Sequence, residues 1–364
     1  MIVEKNGKIR VLVVDDSAFM RVALRKMMEE DSTIEVAGVA RNGEEALYKI
    51  QDLKPDIVTM DIEMPVMDGL TALQRIMKEK PLPVIMISAL TEEGADATFK
   101  ALELGAIDFI PKGGKSYVNL DIVKVAEQLR QKIRAIVRKH RWERLKGGSL
   151  FSLRENLSEE QRGPQKPKDR TCKKKCRIVA LGVSTGGPLA LHHMLPKIPA
   201  DFQSSMLIVQ HMPPTFTGPF ARRLDAISLI SVKEAAEGDV LEPGCAYMAP
   251  GGIHMKVKEE KPGRLRILLN SEPQELLFVP SVDVMMESVA ENYYGRTLGV
   301  IMTGMGSDGL KGMTRIKEKG GTTLAQEESS CVVYGMPKVC VDKGIIDQIV
   351  LLDDLADEIA FYAG

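Results

Sequence analysis

A serine flanked by glycines follows a short apolar run in the middle of the chain. The run covers residues 178–181, and the segment after it reads GVSTGG over residues 182–187. This pattern predicts a buried strand that ends in a tight turn and presents the Ser184 hydroxyl with little side-chain bulk around it. Such a hydroxyl is suited to act as a nucleophile, although glycine-rich serine turns are also typical of ordinary loops.

Two later apolar runs end near residues that would activate such a serine. Residues 206–209 are followed by His211, and residues 298–302 are followed by a glycine-rich turn that contains Asp308. Because the carboxyl ends of parallel strands meet at one edge of a sheet, we expect the three side chains to lie together. His211 would take the proton of Ser184, and Asp308 would orient the imidazole and stabilise its charged form.

Other residues compete for these roles. His254 follows a glycine-rich turn and is the alternative base, but His211 is preferred because it follows an apolar strand directly. Asp283 is the alternative acid, although the proline that precedes its segment is more typical of a helix start. His192 and His193 follow the serine turn on a predicted helix and are expected to be surface or packing residues.

The donors for an oxyanion are expected in the turns on either side of this edge. The backbone around Thr185 and Met305 is the candidate, since the glycines of both turns allow close approach. The order of serine, histidine and acid along the chain differs from that of α/β-hydrolases, in which the acid precedes the histidine. The spacing of the serine turn therefore does not indicate that fold.

A second set of polar residues lies at strand ends in the first part of the chain. Its members are Asp15, Asp16, Asp61, Ser88 and Lys112. Clustered carboxylates repel one another unless a cation lies among them, and oxygen ligands with open water positions suit Mg²⁺. A phosphoryl group on one carboxylate would be neutralised by this metal and by the Lys112 ammonium. The alternative is that each acidic residue is a solvated loop or capping residue.

Strand and helix patterns alternate regularly around these residues. From residue 9 to residue 110, five apolar runs are separated by segments with helical periodicity, and a further helical pattern runs from residue 118 towards Trp142. This alternation predicts a parallel sheet with helices on both faces. Residues 177–364 again mix apolar runs, helical patterns and glycine-rich turns, which predicts a second α/β domain built on a parallel sheet.

The segment between these two halves has a different composition. Residues 146–176 are rich in Gly, Pro, Ser and charge and are interpreted as a linker. Between Arg130 and Lys175 there are 16 Lys plus Arg against 5 Asp plus Glu. A solvated helix end and tether is the preferred interpretation, with binding to nucleic acid or to an acidic partner as alternatives. The predicted boundaries are 1–130 for the first domain, 131–176 for a basic helix extension and linker, and 177–364 for the second domain.

The overall composition limits the classes of partner. The chain has 364 residues, a formal net charge of -1 and one Trp, so neither global charge nor aromatic stacking favours nucleic acid. The start of the sequence lacks the apolar segment of a signal peptide, and no run is long enough to span a bilayer. We therefore expect a cytoplasmic protein without membrane insertion, with Cys172 and Cys176 as reduced linker thiols.

The polar set of the first half resembles that of response-regulator receiver domains, over residues from about 9 to about 130. The resemblance implies a flavodoxin-like fold, phosphorylation of Asp61 by a histidine kinase, and a switch formed by Ser88, Phe109 and Lys112. It also implies Mg²⁺ bound to Asp16, Asp61 and the backbone carbonyl of Glu63, with Asp15 acting through water. One difference is that glycines follow Lys112, where many receivers have proline.

Four motifs of the second half together resemble the catalytic domain of CheB-type chemotaxis methylesterases. They read GVSTGG at 182–187, QHMP at 210–213, YMAPGG at 247–252 and TGMGSDG at 303–309. The resemblance implies hydrolysis of γ-methyl esters on glutamates of chemoreceptors, and deamidation of selected receptor glutamines, through an acyl-enzyme on Ser184. It implies no cofactor for this reaction. In that family the receiver covers the catalytic cleft, and phosphorylation weakens the contact.

Two other functional classes remain as alternatives. One is a phosphorylation-controlled binding or scaffold protein whose second domain has lost catalysis. The other is a DNA-binding regulator, which would need a helix-turn-helix after the linker that the glycine-rich turns do not supply.

Overall fold

The computed structural model describes residues 7–112, 119–145, 177–261, 263–293 and 296–363, with no side-chain description for 119–124 and 142–145. The chain divides into two compact units, Met1–Asn156 and Leu157–Gly364. The predicted linker at 146–176, its two cysteines and the glycines that follow Lys112 lie outside the described residues.

The first unit alternates strands and helices, as the sequence predicts. Its elements are β1 (Ile9–Val14), α1 (Ala18–Glu29), β2 (Ile34–Ala40), α2 (Gly43–Leu53), β3 (Ile57–Asp61), α3 (Gly69–Glu79), β4 (Val84–Ser88), α4 (Glu92–Leu104), β5 (Asp108–Pro111) and α5 (Asn119–Leu145). The five strands pair in parallel in the order β2-β1-β3-β4-β5. The predicted parallel α/β fold is thus confirmed.

Local capping explains why polar residues collect at the carboxyl edge of this sheet. Helix α1 begins after Ser17, whose hydroxyl caps the helix by accepting a hydrogen bond from the Met20 N–H. Asp15 and Asp16 therefore form the short connection between the end of β1 and this cap. Strand β3 is buried along its whole length and ends in Asp61 itself. The acidic residues therefore stand at the ends of two neighbouring strands.

The long helix α5 packs on the first unit well beyond residue 130. Ile133, Ile136 and Val137 are buried. Arg134 pairs with Asp31 in the loop after α1, and Arg141 Nη2 lies 2.8 Å from Asp56 Oδ2. Part of the basic charge in this region is thus neutralised by acidic residues of the same unit.

The second unit is also built on a parallel sheet. Its strands and α-helices are β6 (Ile178–Val183), α6 (Gly187–Met194), β7 (Ser205–Gln210), α7 (Pro214–Ile227), β8 (Ser231–Glu234), β9 (Cys245–Met248), β10 (His254–Lys261), β11 (Arg264–Asn270), α8 (Val282–Asn292), β12 (Thr297–Ile301), α9 (Leu310–Glu318), β13 (Thr322–Gln326), α10 (Met336–Asp342), β14 (Gln348–Val350) and α11 (Leu355–Ala363). Seven strands pair in parallel in the order β14-β13-β12-β6-β7-β9-β8, and β10 and β11 form a separate antiparallel hairpin.

The register of the central strands brings three of the four sequence motifs to one edge of the sheet. β6 lies between β12 and β7, with Ile301 opposite Gly182 and Val183 opposite Gln210. The residues that follow these three strands are therefore neighbours. Across the described ranges, none of the helices combines the length and apolar character that a bilayer crossing requires.

Candidate functional site

The backbones of Ser184 and His211 are tied together at the strand ends. The Ser184 N–H donates to the Thr303 carbonyl at 3.0 Å, and the His211 N–H donates to the Val183 carbonyl at 3.2 Å. The buried Gln210 amide donates from Nε2 to the carbonyls of both Ser184 and His211, at 3.0 and 3.1 Å. The predicted nucleophile and base are thus held by one side chain.

The predicted acid lies against the predicted base. Asp308 Oδ2 is 2.8 Å from His211 Nε2, and both side chains are nearly buried. The other donors to this carboxylate are Ser281 Oγ and the backbone N–H groups of Val282, Asp283 and Gly309. Burial pushes the pKa of Asp308 up, but these hydrogen bonds, led by that of His211, hold it below its usual value. Asp308 is therefore ionised at neutral pH.

The hydrogen bond to Asp308 also defines the free nitrogen of His211. Because a carboxylate only accepts, Nε2 carries the hydrogen and Nδ1 keeps the lone pair. Nδ1 is buried and has no hydrogen-bond partner among the described residues, so no hydrogen bond joins it to Ser184 Oγ. The imidazole stacks on Phe278, with ring centroids 4.2 Å apart and planes 5° from parallel. A stacked imidazole with an unpartnered nitrogen thus follows β7, next to the strand that ends at the serine turn.

The two turns proposed for the oxyanion are in contact. Thr303 Oγ1 donates to the Thr185 carbonyl at 2.9 Å and fixes that peptide. A Cβ at Gly304 would lie 2.9 Å from the Ser184 Cβ, so only glycine allows the Met305 turn to approach the serine this closely. Within the described ranges, the N–H groups of Thr185 and Met305 donate no hydrogen bond. Neither N–H is thus committed to a backbone carbonyl in those ranges.

The alternative base and acid are engaged elsewhere. His254 is fully buried, accepts from the Ser281 N–H at Nδ1, and has Nε2 3.0 Å from the Pro273 carbonyl. Asp283 lies in the first turn of α8, where its carboxylate accepts from the Gly312 N–H at 2.9 Å. The structure thus brings His211, and not His254, to the acid.

Three contacts of this site were not assigned from sequence. Gln210 is adjacent to His211 in the chain, but only the pairing of β6 with β7 shows that it reaches Ser184. Ser281 carries the ordinary signal of a helix N-cap, which says nothing about Asp308. Phe278 lies in a loop without periodicity, so no sequence pattern identifies it as a partner of His211.

The acidic cluster of the first unit forms as predicted. Carboxylate oxygens of Asp15, Asp16 and Asp61 all lie within 4.8 Å of one another. Lys112 Nζ is 2.5 Å from Asp61 Oδ2 and 3.2 Å from Asp15 Oδ2. Burial raises the pKa of Asp61 to about 6; the Lys112 ammonium lowers it and the Asp15 carboxylate raises it. The cluster thus contains three carboxyl groups and one lysine, so the lysine alone does not balance their negative charge.

These residues fit a divalent cation. Asp15 Oδ2 is buried and, apart from its ion pair with Lys112, has no hydrogen-bond partner in the described part of the chain. Glu63 lines the same cleft as Asp16 and Asp61. Carboxylate and carbonyl oxygens around an open cleft are the ligands that Mg²⁺ prefers. A bound cation would also stabilise the ionised form of Asp61.

Of the three predicted switch residues, Ser88 and Lys112 line this cleft. Ser88 Oγ accepts from Thr98 Oγ1 at 2.6 Å and donates to the Gly94 carbonyl at 3.1 Å, so its hydroxyl is held by α4. The Phe109 ring is buried, with Lys132 Nζ 5.8 Å from its centroid. Thr98 was not assigned from sequence, because it resembles any small residue on the buried face of a helix.

Comparison with known proteins gives a family for each unit. Residues 179–359 match the family model described as CheB methylesterase, and residues 11–121 match that of the response regulator receiver domain. A relative from Oleidesulfovibrio alaskensis, named protein-glutamate methylesterase/protein-glutamine glutaminase 1, is 50% identical over 96% of this chain and 98% of its own length. One from Pyrococcus horikoshii with a corresponding name is 46% identical over 97% of this chain and 93% of its own length.

A solved structure resembles the second unit. The catalytic domain of the Thermotoga maritima CheB methylesterase is 38% identical, covers 51% of this chain and 98% of its own, and superposes with a TM-score of 0.50. The likeness to relatives extends over nearly the full length of both chains, so it includes the receiver as well. The chain therefore belongs to the CheB methylesterase family, with a response regulator receiver domain preceding its catalytic domain.

Proposed function

We propose that this chain is a phosphorylation-activated hydrolase that removes methyl esters from glutamate side chains of chemoreceptors and deamidates selected receptor glutamines. Its family is that of the methylesterase/glutaminases of chemotaxis that carry a receiver domain. The observation that carries the finer proposal is the 2.8 Å contact of His211 with Asp308, beside the turn of Ser184.

The proposed reaction is an acyl transfer through Ser184. His211 Nδ1 takes the serine proton as Oγ attacks the γ-carbonyl carbon of the substrate, and Asp308 stabilises the imidazolium that forms. The oxyanion is stabilised by the N–H groups of Thr185 and Met305. The imidazolium then protonates the leaving methoxide, and methanol departs.

The second half of the cycle restores the enzyme. Water gives a proton to His211 Nδ1 and attacks the acyl carbon, and collapse of the second oxyanion returns the proton to Ser184 Oγ. The product is a free glutamate carboxylate. With a glutamine substrate, ammonia leaves in the first step and the product is the same. These steps use protein groups and water, so we propose that the esterase reaction needs no cofactor.

For the first unit, we propose that Asp61 accepts a phosphoryl group from a histidine kinase. Asp16, Asp61 and the Glu63 carbonyl would hold Mg²⁺, with Asp15 acting through water. The cation supplies charge neutralisation for the transferred group. Lys112 contributes a second positive charge, since its ammonium already contacts Asp61.

The regulatory part of the proposal concerns the switch residues. We propose that Ser88, Phe109 and Lys112 respond to phosphorylation of Asp61, and that the response relieves a restraint on the catalytic unit. The proposed domains are a receiver over 1–130, a basic helix extension and linker over 131–176, and a catalytic domain over 177–364. The substrates are cytoplasmic segments of receptors, so we place the enzyme in the cytoplasm; neither nucleic acid nor membrane insertion is part of the proposal.

The alternative of a scaffold without catalysis is disfavoured by the 2.8 Å contact between His211 and Asp308, which a non-catalytic domain would not need. The direct test uses a chemoreceptor fragment that carries labelled methyl esters. Full-length enzyme should release labelled methanol, and a small-molecule phosphodonor with Mg²⁺ should increase the rate. Binding of the fragment without methanol release, with or without the phosphodonor, would instead support the scaffold.

A further inference from the structure

The Asp308 carboxylate is held mainly by the start of one helix. Besides His211, it accepts from Ser281 Oγ at 2.9 Å, from the Val282 N–H at 2.8 Å and from the Asp283 N–H at 3.0 Å. All three of these donors belong to the N-terminal turn of α8 or its cap. The orientation of the acid is therefore set by where this turn lies.

Ser281 joins this turn to two other parts of the unit. Its Oγ donates to Asp308 Oδ1, and its backbone N–H donates to His254 Nδ1 at 3.1 Å. His254 in turn has Nε2 3.0 Å from the Pro273 carbonyl. Because Nδ1 accepts, Nε2 carries the hydrogen and donates it, so the histidine links β10 to both ends of the segment between β11 and α8.

The hydroxyl of Ser281 serves the acid more than the helix. It also accepts from the Val284 N–H, but at 3.4 Å, which is long for a capping hydrogen bond. Its contact with Asp308 Oδ1 is 2.9 Å and involves an ionised acceptor, so it is the stronger of the two. The other oxygen of the same carboxylate, Oδ2, accepts from His211.

We propose that Ser281, held in place by His254, is a positioning residue that fixes the Asp308 carboxylate for the His211 imidazole. The inference rests on the proposed function and adds two residues to it. It gives His254 a role other than that of a base: a fully buried, neutral imidazole whose two nitrogens connect backbone groups. Neither residue contacts the reacting atoms.

The test compares variants at position 281 in the full-length enzyme. Ser281→Ala should lower kcat for methanol release by about tenfold while KM changes less than about twofold, because the acid is misplaced but substrate contacts remain. Ser281→Thr keeps the hydroxyl and should restore kcat to within about threefold of the parent. Loss of activity in both variants alike would overturn the proposal.

Ser288 provides the matched control on the same helix. Its hydroxyl accepts from the Val257 N–H at 3.1 Å and donates to the Met285 carbonyl at 2.8 Å, and neither contact leads to Asp308. Ser288→Ala should destabilise the fold to a similar degree, measured as the thermal midpoint, and leave kcat within about twofold. If both alanine variants lose the same fraction of kcat, Ser281 has only a structural role.

His254 is tested through its coupling to Ser281. His254→Asn keeps an acceptor near the Ser281 N–H, whereas His254→Phe removes it. We expect His254→Phe to lower kcat as Ser281→Ala does, the double variant to be no slower than either, and His254→Asn to lie between. If the losses of kcat in the two single variants add up fully in the double variant, the link between His254 and Ser281 is contradicted. If His254→Phe does not fold, the same comparison is made with His254→Asn and Ser281→Ala.

A separate variant distinguishes failure of this inference from failure of the proposed function. His211→Ala removes the proposed base and should abolish turnover. If His211→Ala is inactive while Ser281→Ala is fully active, only the positioning role is wrong. If His211→Ala retains full activity, the proposed catalytic set is wrong, and this inference fails with it.

Discussion

Asp308 Oδ2 lies 2.8 Å from His211 Nε2, although 97 residues separate the two in the chain. The contact fixes which nitrogen carries the hydrogen and leaves the Nδ1 lone pair for the proposed role as base. Asp308→Asn should lower kcat by about 10³-fold or more, since a neutral amide neither stabilises the imidazolium nor enforces this tautomer. Steady-state methanol release measures the effect, and an Asn variant with kcat within tenfold of the parent would contradict the role of the acid.

The stack of Phe278 on His211 gives a second prediction. The parallel rings, 4.2 Å apart, restrict rotation of the imidazole. Phe278→Ala should lower kcat by about tenfold, and Phe278→Tyr should retain nearly all of it. Leu277, its neighbour in the same loop, is 63% exposed and serves as the control, because Leu277→Ala removes a similar apolar surface without a contact to the ring. Equal effects at 277 and 278 would argue for a general loop effect.

The sequence predicted the strand-end residues but not the groups that support them. Ser184, His211 and Asp308 each follow an apolar run, and parallel pairing places such residues together whatever the details of packing. Ser281 and His254 act through contacts between the hairpin, a loop and a helix start, which depend on tertiary packing. The antiparallel hairpin of β10 and β11 was likewise not predicted, because the charged residues at its turn interrupt the alternation of apolar and polar residues that is typical of a strand.

In the proposed function, activation depends on Asp61 in the acidic cluster. Asp61→Asn should abolish stimulation of methanol release by a phosphodonor and leave the basal rate unchanged, because the serine turn belongs to the other unit. Initial rates with and without phosphodonor and Mg²⁺ measure this. Stimulation that persists in the variant would show that phosphorylation occurs elsewhere or is not the signal.

The exposed acidic residue Asp68 is the matched control for this variant, since it caps α3 through the Thr71 N–H. Asp68→Asn should retain stimulation.

A fragment of residues 177–364 should be active without phosphodonor if the first unit restrains the second. A fragment no faster than the unphosphorylated full chain would argue against such a restraint.

Asp283 gives a prediction about stability and pH. Burial raises its pKa to about 6, the Gly312 N–H lowers it, and repulsion by Asp308 raises it. An unfolded aspartate titrates near pH 4, so between about pH 4 and pH 6 the folded state binds more protons, and the free energy of unfolding falls as pH rises. Asp283→Asn removes the titrating carboxyl and with it this loss of stability. The variant should therefore have a higher thermal midpoint than the parent at pH 7, but not at pH 4, where the native carboxyl is protonated.

Asp347 is the control of opposite sign. Burial raises its pKa, but the hydrogen bonds from Lys317 and Thr323 outweigh burial and hold the pKa below its usual value. Asp347→Asn should therefore lower the thermal midpoint at pH 7, where the native carboxylate contributes stability. A rise of equal size at pH 4 and pH 7 in Asp283→Asn would contradict the assigned titration.

The central claim is that Ser184 is the nucleophile, and its removal tests this most directly. Methanol release from a methyl-esterified receptor fragment is measured for Ser184→Ala in parallel with phosphorylation of Asp61 by a small-molecule phosphodonor. We predict that turnover falls by about 10³-fold or more while Asp61 is phosphorylated normally, which shows that the first unit is intact in this variant. Methanol release at the parent rate in this variant would contradict the account.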